Sequence, residues 1–221
     1  MTALVPATRA ALADLPLHVA PRLLGGRLVT EVEGERVVLR ITEVEAYHGQ
    51  GTGEIPDPGS HARMGRTARN ATMWGEPGHL YVYLSHGIHS CVNVVTGPAG
   101  VAGGILLRGG EVLEGLDAAM RRRTERRGVV RTPRDLARGP GRLGDAVGLR
   151  HPVHDGIDAV AGTPQAGAVA HLLLPADPLP DVATGPRVGV AGVAGTAAFP
   201  WRFWIPGDPT VSPFRPGRGA A

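Results

Sequence analysis

The sequence contains no lysine; all 23 of its basic Lys and Arg positions are arginine. A lysine Schiff base is therefore excluded, and covalent chemistry of that kind could use only the N-terminal amine. A single cysteine, Cys91, rules out an internal disulfide and fits a reducing compartment. No apolar run approaches the roughly 18 residues of a membrane span. The first residues lack a basic start followed by an apolar stretch and a cleavage site. No signal peptide is expected, and the reading is cytoplasmic. There is no G-x-S-x-G elbow for a serine nucleophile. GPAGVAGG (97–104) lacks the Lys-Ser/Thr ending of a phosphate loop. Aromatic residues are scarce, 4% of the chain, so the placement of the three tyrosines carries weight.

What is present suits one domain. The chain has 221 residues, 43% of them hydrophobic, enough for a core. The net charge of +3 hides an uneven distribution. Residues 1–60 hold five Arg against eight acids, whereas residues 101–150 hold eleven Arg against six. With a sequence pI near 9.7, this basic block points to a polyanion partner. Taken alone, RRRTERR (121–127) reads as a solvated helix.

The patterning predicts a helix at 8–15 and strands at 26–32 and 35–47, joined by the turn VEGE. Residues 48–78 form a long polar connection carrying His61, Arg69, Asn70, Met73 and Trp74. Strands follow at 79–86, 88–96 and 101–109, then helices at 114–126 and 135–147, the latter interrupted by GPG. Two or three short strands are expected in 168–206. The Pro- and Gly-rich end, 207–221, reads as frayed.

Two stretches carry candidate chemistry. In VVLRITEVEAY (37–47), Val37, Leu39 and Ile41 share one parity, which continues as Glu43, Glu45 and Tyr47. A carboxylate on an inward face is costly unless it is paired, hydrogen-bonded or open to a cleft. Two carboxylates two apart on a strand lie ~7 Å from each other. That spacing suits the acid and base of an inverting glycoside hydrolase. It equally suits one base beside one structural carboxylate. Frequent pairing of buried carboxylates with arginine or backbone donors favours the structural role for Glu43. In HLYVYLSHGIHSCVNVV (79–95), Tyr81 and Tyr83 share a strand face and His86 sits at a hairpin tip. Such faces can be half-buried strand formers or can stack a nucleobase. A basic block, stacking aromatics and a carboxylate together suit an enzyme acting on a nucleotide. His86, His89 and Cys91 give H-x-x-H-x-C, but no second ligand pair follows, so no metal is expected.

The blocks ITEVEAYHG, GSHARMGRTARNATMWGEPGHLYVYLSHGIHSCVNVV, GGILLRGGE, LARGPGRLGDAVG, GPRVGV and PWRFWI, in this order, resemble the alkyladenine (3-methyladenine) DNA glycosylase family over about residues 20–211. The resemblance implies a single mixed α/β (α+β) domain, residues 1–206. Its centre would be a curved, open-barrel-like antiparallel sheet with surrounding helices and a protruding hairpin that enters the DNA minor groove. It implies a monofunctional enzyme that hydrolyses the bond between a damaged purine and deoxyribose in double-stranded DNA, as a monomer and without a cofactor. By motif, Glu45 is similar to the general base and Arg108 to the arginine that holds the water and nearby phosphate. Tyr47, His61 and Tyr83 resemble the walls around the flipped base, and Asn93 the residue that disfavours a guanine amino group. His86, Ile88, His89 and Arg142 fall at DNA-contacting positions. His86 stands where the family often has a wedging tyrosine, and Arg142 replaces a usual lysine. Gly109 and Gly110 stand where members carry Ala and a bulkier residue, which is expected to loosen the strand behind Arg108. The competing readings are a damaged-DNA-binding protein without chemistry and a nucleoside or glycoside hydrolase. The latter should not need the arginine block.

Overall fold

The computed structural model describes residues 3–49 and 55–220. Among them the strands are β1 (Leu4–Pro6), β2 (Arg27–Val32), β3 (Glu35–His48), β4 (His79–Ser85), β5 (His89–Val95), β6 (Gly103–Glu114), β7 (Ala137–Arg138), β8 (Ile157–Asp158), β9 (Ala168–Pro175), β10 (Ala183–Gly185) and β11 (Arg202–Trp204). The helices are α1 (Arg9–Leu12), α2 (Pro16–Leu23), α3 (Leu116–Arg127) and α4 (Pro140–Val147). The helix expected at 8–15 is the shorter α1, and a second helix, α2, follows it beyond the predicted bounds. Thr8 caps α1 by accepting the Ala11 N–H at 3.1 Å, and Pro16 opens α2, where its missing N–H costs nothing.

The sheet is antiparallel and curled, in the order β1-β9-β2-β3-β6-β5-β4-β8. Its long central strands branch. One edge of β3 pairs with β2 over Glu35–Arg40 and then with β11 over Glu43–Glu45. One edge of β6 pairs with β5 and then, past Arg108, with β7. Helices α2, α3 and α4 supply Val19, Leu23, Ala119, Leu143 and Ala146 to one core with Leu39, Ile41, Val44, Ile105 and Leu107. A smaller cluster of Ala62, Met73, Trp74, Tyr81, Val95 and Ala102 packs separately, against Tyr83. Gly115, at φ +78°, lets β6 turn into α3; a Cβ there would meet the Arg36 carbonyl oxygen at 2.1 Å.

Two expectations are corrected here. The 207–220 segment is packed: Thr210 and Ser212 are buried, Gly189 N–H donates to Arg215 O and Gly192 N–H to Arg218 O. Its Pro and Gly content prevents regular structure without preventing partnered polar groups. Nor is RRRTERR simply solvated. Arg122 and Arg123 are buried, Arg122 donating to the carbonyls of Val32 and Ala146, and Arg123 Nε to Leu136 O at 3.0 Å beside Asp145. Long stems let arginine lie along the core while the head satisfies chain ends.

Candidate active site

The site begins where β3 breaks its own alternation. Ile41 pairs with Gly110 and Glu43 with Gly109, so Thr42 is an extra residue with no partner across the ladder. A bulge of one residue flips every side chain beyond it. Core membership therefore passes from Val37, Leu39 and Ile41 to Val44 and Ala46, and Glu43, Glu45 and Tyr47 turn to the other face. β6 answers with its own extra residue, Arg108, between Gly109 and Leu107. Gly109 and Gly110 do not loosen this strand. A Cβ at Gly109 would stand 3.0 Å from Glu43 Oε2 and from Thr210 O, and one at Gly110 2.7 Å from Arg40 O. The space is already filled by neighbours.

Glu43 and Glu45 are both fully buried, in different surroundings. Glu43 receives Arg202 Nε at 2.7 Å, Ser212 N–H at 2.7 Å and Ser212 Oγ–H at 2.9 Å. It is a structural carboxylate knitting the C-terminal segment to the sheet. Glu45 receives Val188 N–H at 2.7 Å and the Tyr47 hydroxyl at 2.9 Å. Arg108 Nε lies between the two, 3.1 Å from Glu43 Oε1 and 3.5 Å from Glu45 Oε1, and donates to Ser212 Oγ at 3.2 Å. Burial works against the Arg108 charge, but the Glu45 and Glu43 carboxylates outweigh it, and the guanidinium is held above its ordinary pKa. Burial, and then Glu45, push the Tyr47 phenol well above the usual tyrosine range, so it stays a donor.

Above Glu45 opens a cavity of about 780 Å³. Aromatic rings form one wall: Tyr81 and Tyr83 stack at 5.4 Å between centroids, and His61 meets Tyr83 edge-on at 4.5 Å. Burial raises both phenols. Burial, followed by Arg69 and Arg63, lowers the His61 imidazole, leaving it neutral at pH 7. Asn93 donates from Nδ2 to Tyr81 O at 3.0 Å, which fixes its amide in the wall. At the rim, β4 and β5 form a hairpin whose turn is closed by Ile88 N–H to Ser85 O at 3.1 Å. His86 and Gly87 both take positive φ there, +51° and +72°, as a type I′ turn demands. Ile88 at this tip is 62% exposed, an apolar side chain largely open to solvent.

A family model described as methylpurine-DNA glycosylase (MPG) matches residues 10–209. Three relatives each bear the name "Putative 3-methyladenine DNA glycosylase". That of Leifsonia xyli subsp. xyli is 54% identical over 90% of this chain and 88% of its own length. That of Nocardia farcinica is 48% identical over 90% and 87%, and that of Streptomyces avermitilis 47% over 95% and 92%. The chain belongs to the methylpurine-DNA glycosylase family. It is thus a DNA N-glycosylase, a hydrolase of N-glycosidic bonds.

In this glycosylase the cavity gathers Glu45, Arg108, Tyr47, His61, Tyr83, Asn93, His86, His89 and Arg142. Of the residues matched to family site positions, Ile88 stands apart from that lining, outward on the hairpin tip, and the second candidate carboxylate, Glu43, lies outside it too. Among the described residues no three His, Cys, Asp or Glu side chains converge as a metal centre requires. Sequence reasoning missed Arg63, Arg138 and Val188, which also line the cavity, and Ser212, which holds Arg108. Arg63 lies two residues past His61 and shares its motif; Val188 lies within GPRVGV, but it and Ser212 act through a backbone N–H and a hydroxyl, roles that residue type does not mark. No helix among the described residues is long and apolar enough to cross a membrane.

Proposed function

We propose that this glycosylase flips alkylated or deaminated purines out of duplex DNA and excises them hydrolytically, in base excision repair. The class includes 3-methyladenine, 7-methylguanine, hypoxanthine and ethenoadenine. Glu45 is the general base. It takes a proton from water, the oxygen bonds to the sugar C1′, and the C1′–N bond breaks with its electron pair leaving on the purine. 3-Methyladenine and 7-methylguanine already carry positive charge and depart as neutral bases; hypoxanthine and ethenoadenine are neutral, and the departing anion takes its proton from solvent. Hydrogen bonds from Val188 N–H and the Tyr47 hydroxyl hold the carboxylate in one orientation, and Arg108 steadies the water and the adjacent phosphate. The flipped base stacks between Tyr83 and Tyr47, with His61, and Asn93 disfavours a guanine amino group. His86 and Ile88 fill the gap left in the duplex, while His89 and Arg142 meet the backbone. The enzyme acts as a monomer in the cytoplasm, with no resident cofactor.

One observation carries this reading: a fully buried carboxylate, beside a guanidinium, on the floor of an aromatic-walled cavity of about 780 Å³. The test uses duplex oligonucleotides, each with one of the four lesions, and counts released base and alkali-labile abasic sites. Release by the wild type and its loss in Glu45→Gln are expected. Tight binding to damaged duplex by both proteins, with no release from any lesion, would sink the proposal.

A further inference from the structure

Arg187 heads the fully buried side chains by size among the described residues. Its guanidinium donates from Nη1 to Ala46 O (3.0 Å) and Asp57 Oδ2 (2.7 Å), and from Nη2 to Asp57 Oδ1 (2.8 Å) and Ala194 O (3.2 Å). Its central carbon stands 4.4 Å from the Tyr47 ring centroid and 4.9 Å from that of Trp201. Nε has no hydrogen-bond acceptor among the described residues. A guanidinium placed for hydrogen bonding alone would use all its donors. This one forgoes a donor and gains two ring faces, so stacking helps to set its position.

Its contacts converge on the parts of the site. Asp57 also accepts the N–H groups of His48 (3.2 Å) and Gly59 (2.8 Å), which fastens the segment leading to His61 onto β3. Gly59 must be glycine for this, because a Cβ would meet Arg187 Nη2 at 2.6 Å. Val188, the next residue, gives its N–H to Glu45. Arg187 itself does not line the cavity. The face of Tyr47 it covers is therefore closed to a ligand, and only the remainder of the ring faces the cavity.

We infer that Arg187 is a positioning residue: clamped by Asp57, it backs the Tyr47 ring and holds it as a rigid wall for the extruded base. The inference rests on the reading of Tyr47 as that wall. Arginine is specifically required, because a lysine ammonium can pair with Asp57 but cannot fork to it and stack on a ring at once.

The experiment is a double-mutant cycle on Arg187→Lys and Tyr47→Leu. It is read as single-turnover release of ethenoadenine from duplex DNA, with half-saturation and maximal rate separated. If Arg187 acts through Tyr47, Arg187→Lys lowers the second-order rate about tenfold, the scale of a weakened base–aromatic stack. In the Tyr47→Leu background it lowers it less than about twofold, because the ring it served is gone. Equal losses in both backgrounds, or no loss with Tyr47 present, would overturn the inference. Should Arg187→Lys lack a cooperative melting transition, Arg187→Met with Asp57→Asn removes both charges together and enters the same cycle. Failure of the underlying function shows separately, as wild type that releases no base, and takes this inference with it.

Discussion

Changing Glu43 to Gln and Glu45 to Gln is one chemical change made twice, two residues apart on β3, and the two should fail in opposite ways. Glu43 serves Arg202 Nε, Ser212 N–H and Ser212 Oγ–H within 2.9 Å and stands 3.1 Å from Arg108 Nε. Arg202 is only 4% exposed, so loss of the carboxylate leaves a buried guanidinium without its counter-charge. Breaking such a pair costs about 3–5 kcal/mol. The amide oxygen of Gln retains part of the contact, which places Glu43→Gln near the lower end, ~3 kcal/mol. For a chain of this size each kcal/mol moves the melting midpoint by about 2–4 °C, so a drop of roughly 6–12 °C is expected. Glu45 has fewer charged partners, Arg108 at 3.5 Å, and that guanidinium keeps Glu43. Glu45→Gln should therefore move the midpoint by less than half as much, yet lower base release by at least about 100-fold, the modest end of general-base catalysis. The assay pairs thermal unfolding by circular dichroism with single-turnover release well below both transitions. If Glu43→Gln melts within about 2 °C of wild type, or loses more activity than Glu45→Gln, the division of labour argued here is wrong.

Gly110→Ala should cost about 1–3 kcal/mol, because the new Cβ would sit 2.7 Å from Arg40 O and 2.8 Å from Leu39 Cγ; an unchanged urea midpoint would show the strand has slack after all. Arg142→Ala should reduce the slope of log affinity for duplex DNA against log salt by about one, whereas Arg123→Met, at a buried residue, should lower stability and leave that slope alone. Equal slopes for all three proteins would remove Arg142 from the DNA contact. Burial, its largest cause, holds the His48 imidazole down from 6.5 to about 4, so it stays neutral when folded but takes a proton near pH 6.5 when unfolded. Its contribution is complete above that pH and drains away as pH falls toward 4, by on the order of 3 kcal/mol. Chemical denaturation from pH 7 to pH 4.5 should show a shallower loss for His48→Gln; identical curves would exclude His48 as the cause.

Alternation identifies the paired strands β2, β3, β4 and β5 because its period survives wherever a ladder is regular. It assigns the wrong face beyond Ile41 because the ladder there is not regular. Thr42, the residue that bulges, is an ordinary β-branched strand former with no local mark of its role. The available clue is the apolar pair Val44 and Ala46, which restarts the core pattern on the opposite parity. Composition fails in a similar way at both ends of its use. Counting arginines in 101–150 reports a basic block, but Arg122 and Arg123 spend their charge on buried carbonyls and Asp145. Counting Pro and Gly in 207–221 reports irregular backbone, while Ser212 reaches a carboxylate 169 positions away. The motif-bearing half of the site was legible because Glu45, Tyr47, Tyr83 and Asn93 ride on strands, where spacing translates into geometry. Val188, Arg187 and Ser212 come from irregular segments, where it does not. The bulge also answers why carboxylates lie inside at all. A carboxylate in the role proposed for Glu45 must reach the cavity yet must not point unpaired into a hydrocarbon core. A strand with one face on the core and one in a pocket supplies such a position only if its register can be shifted locally, and Thr42 opposite Gly109 and Gly110 is where this chain shifts it.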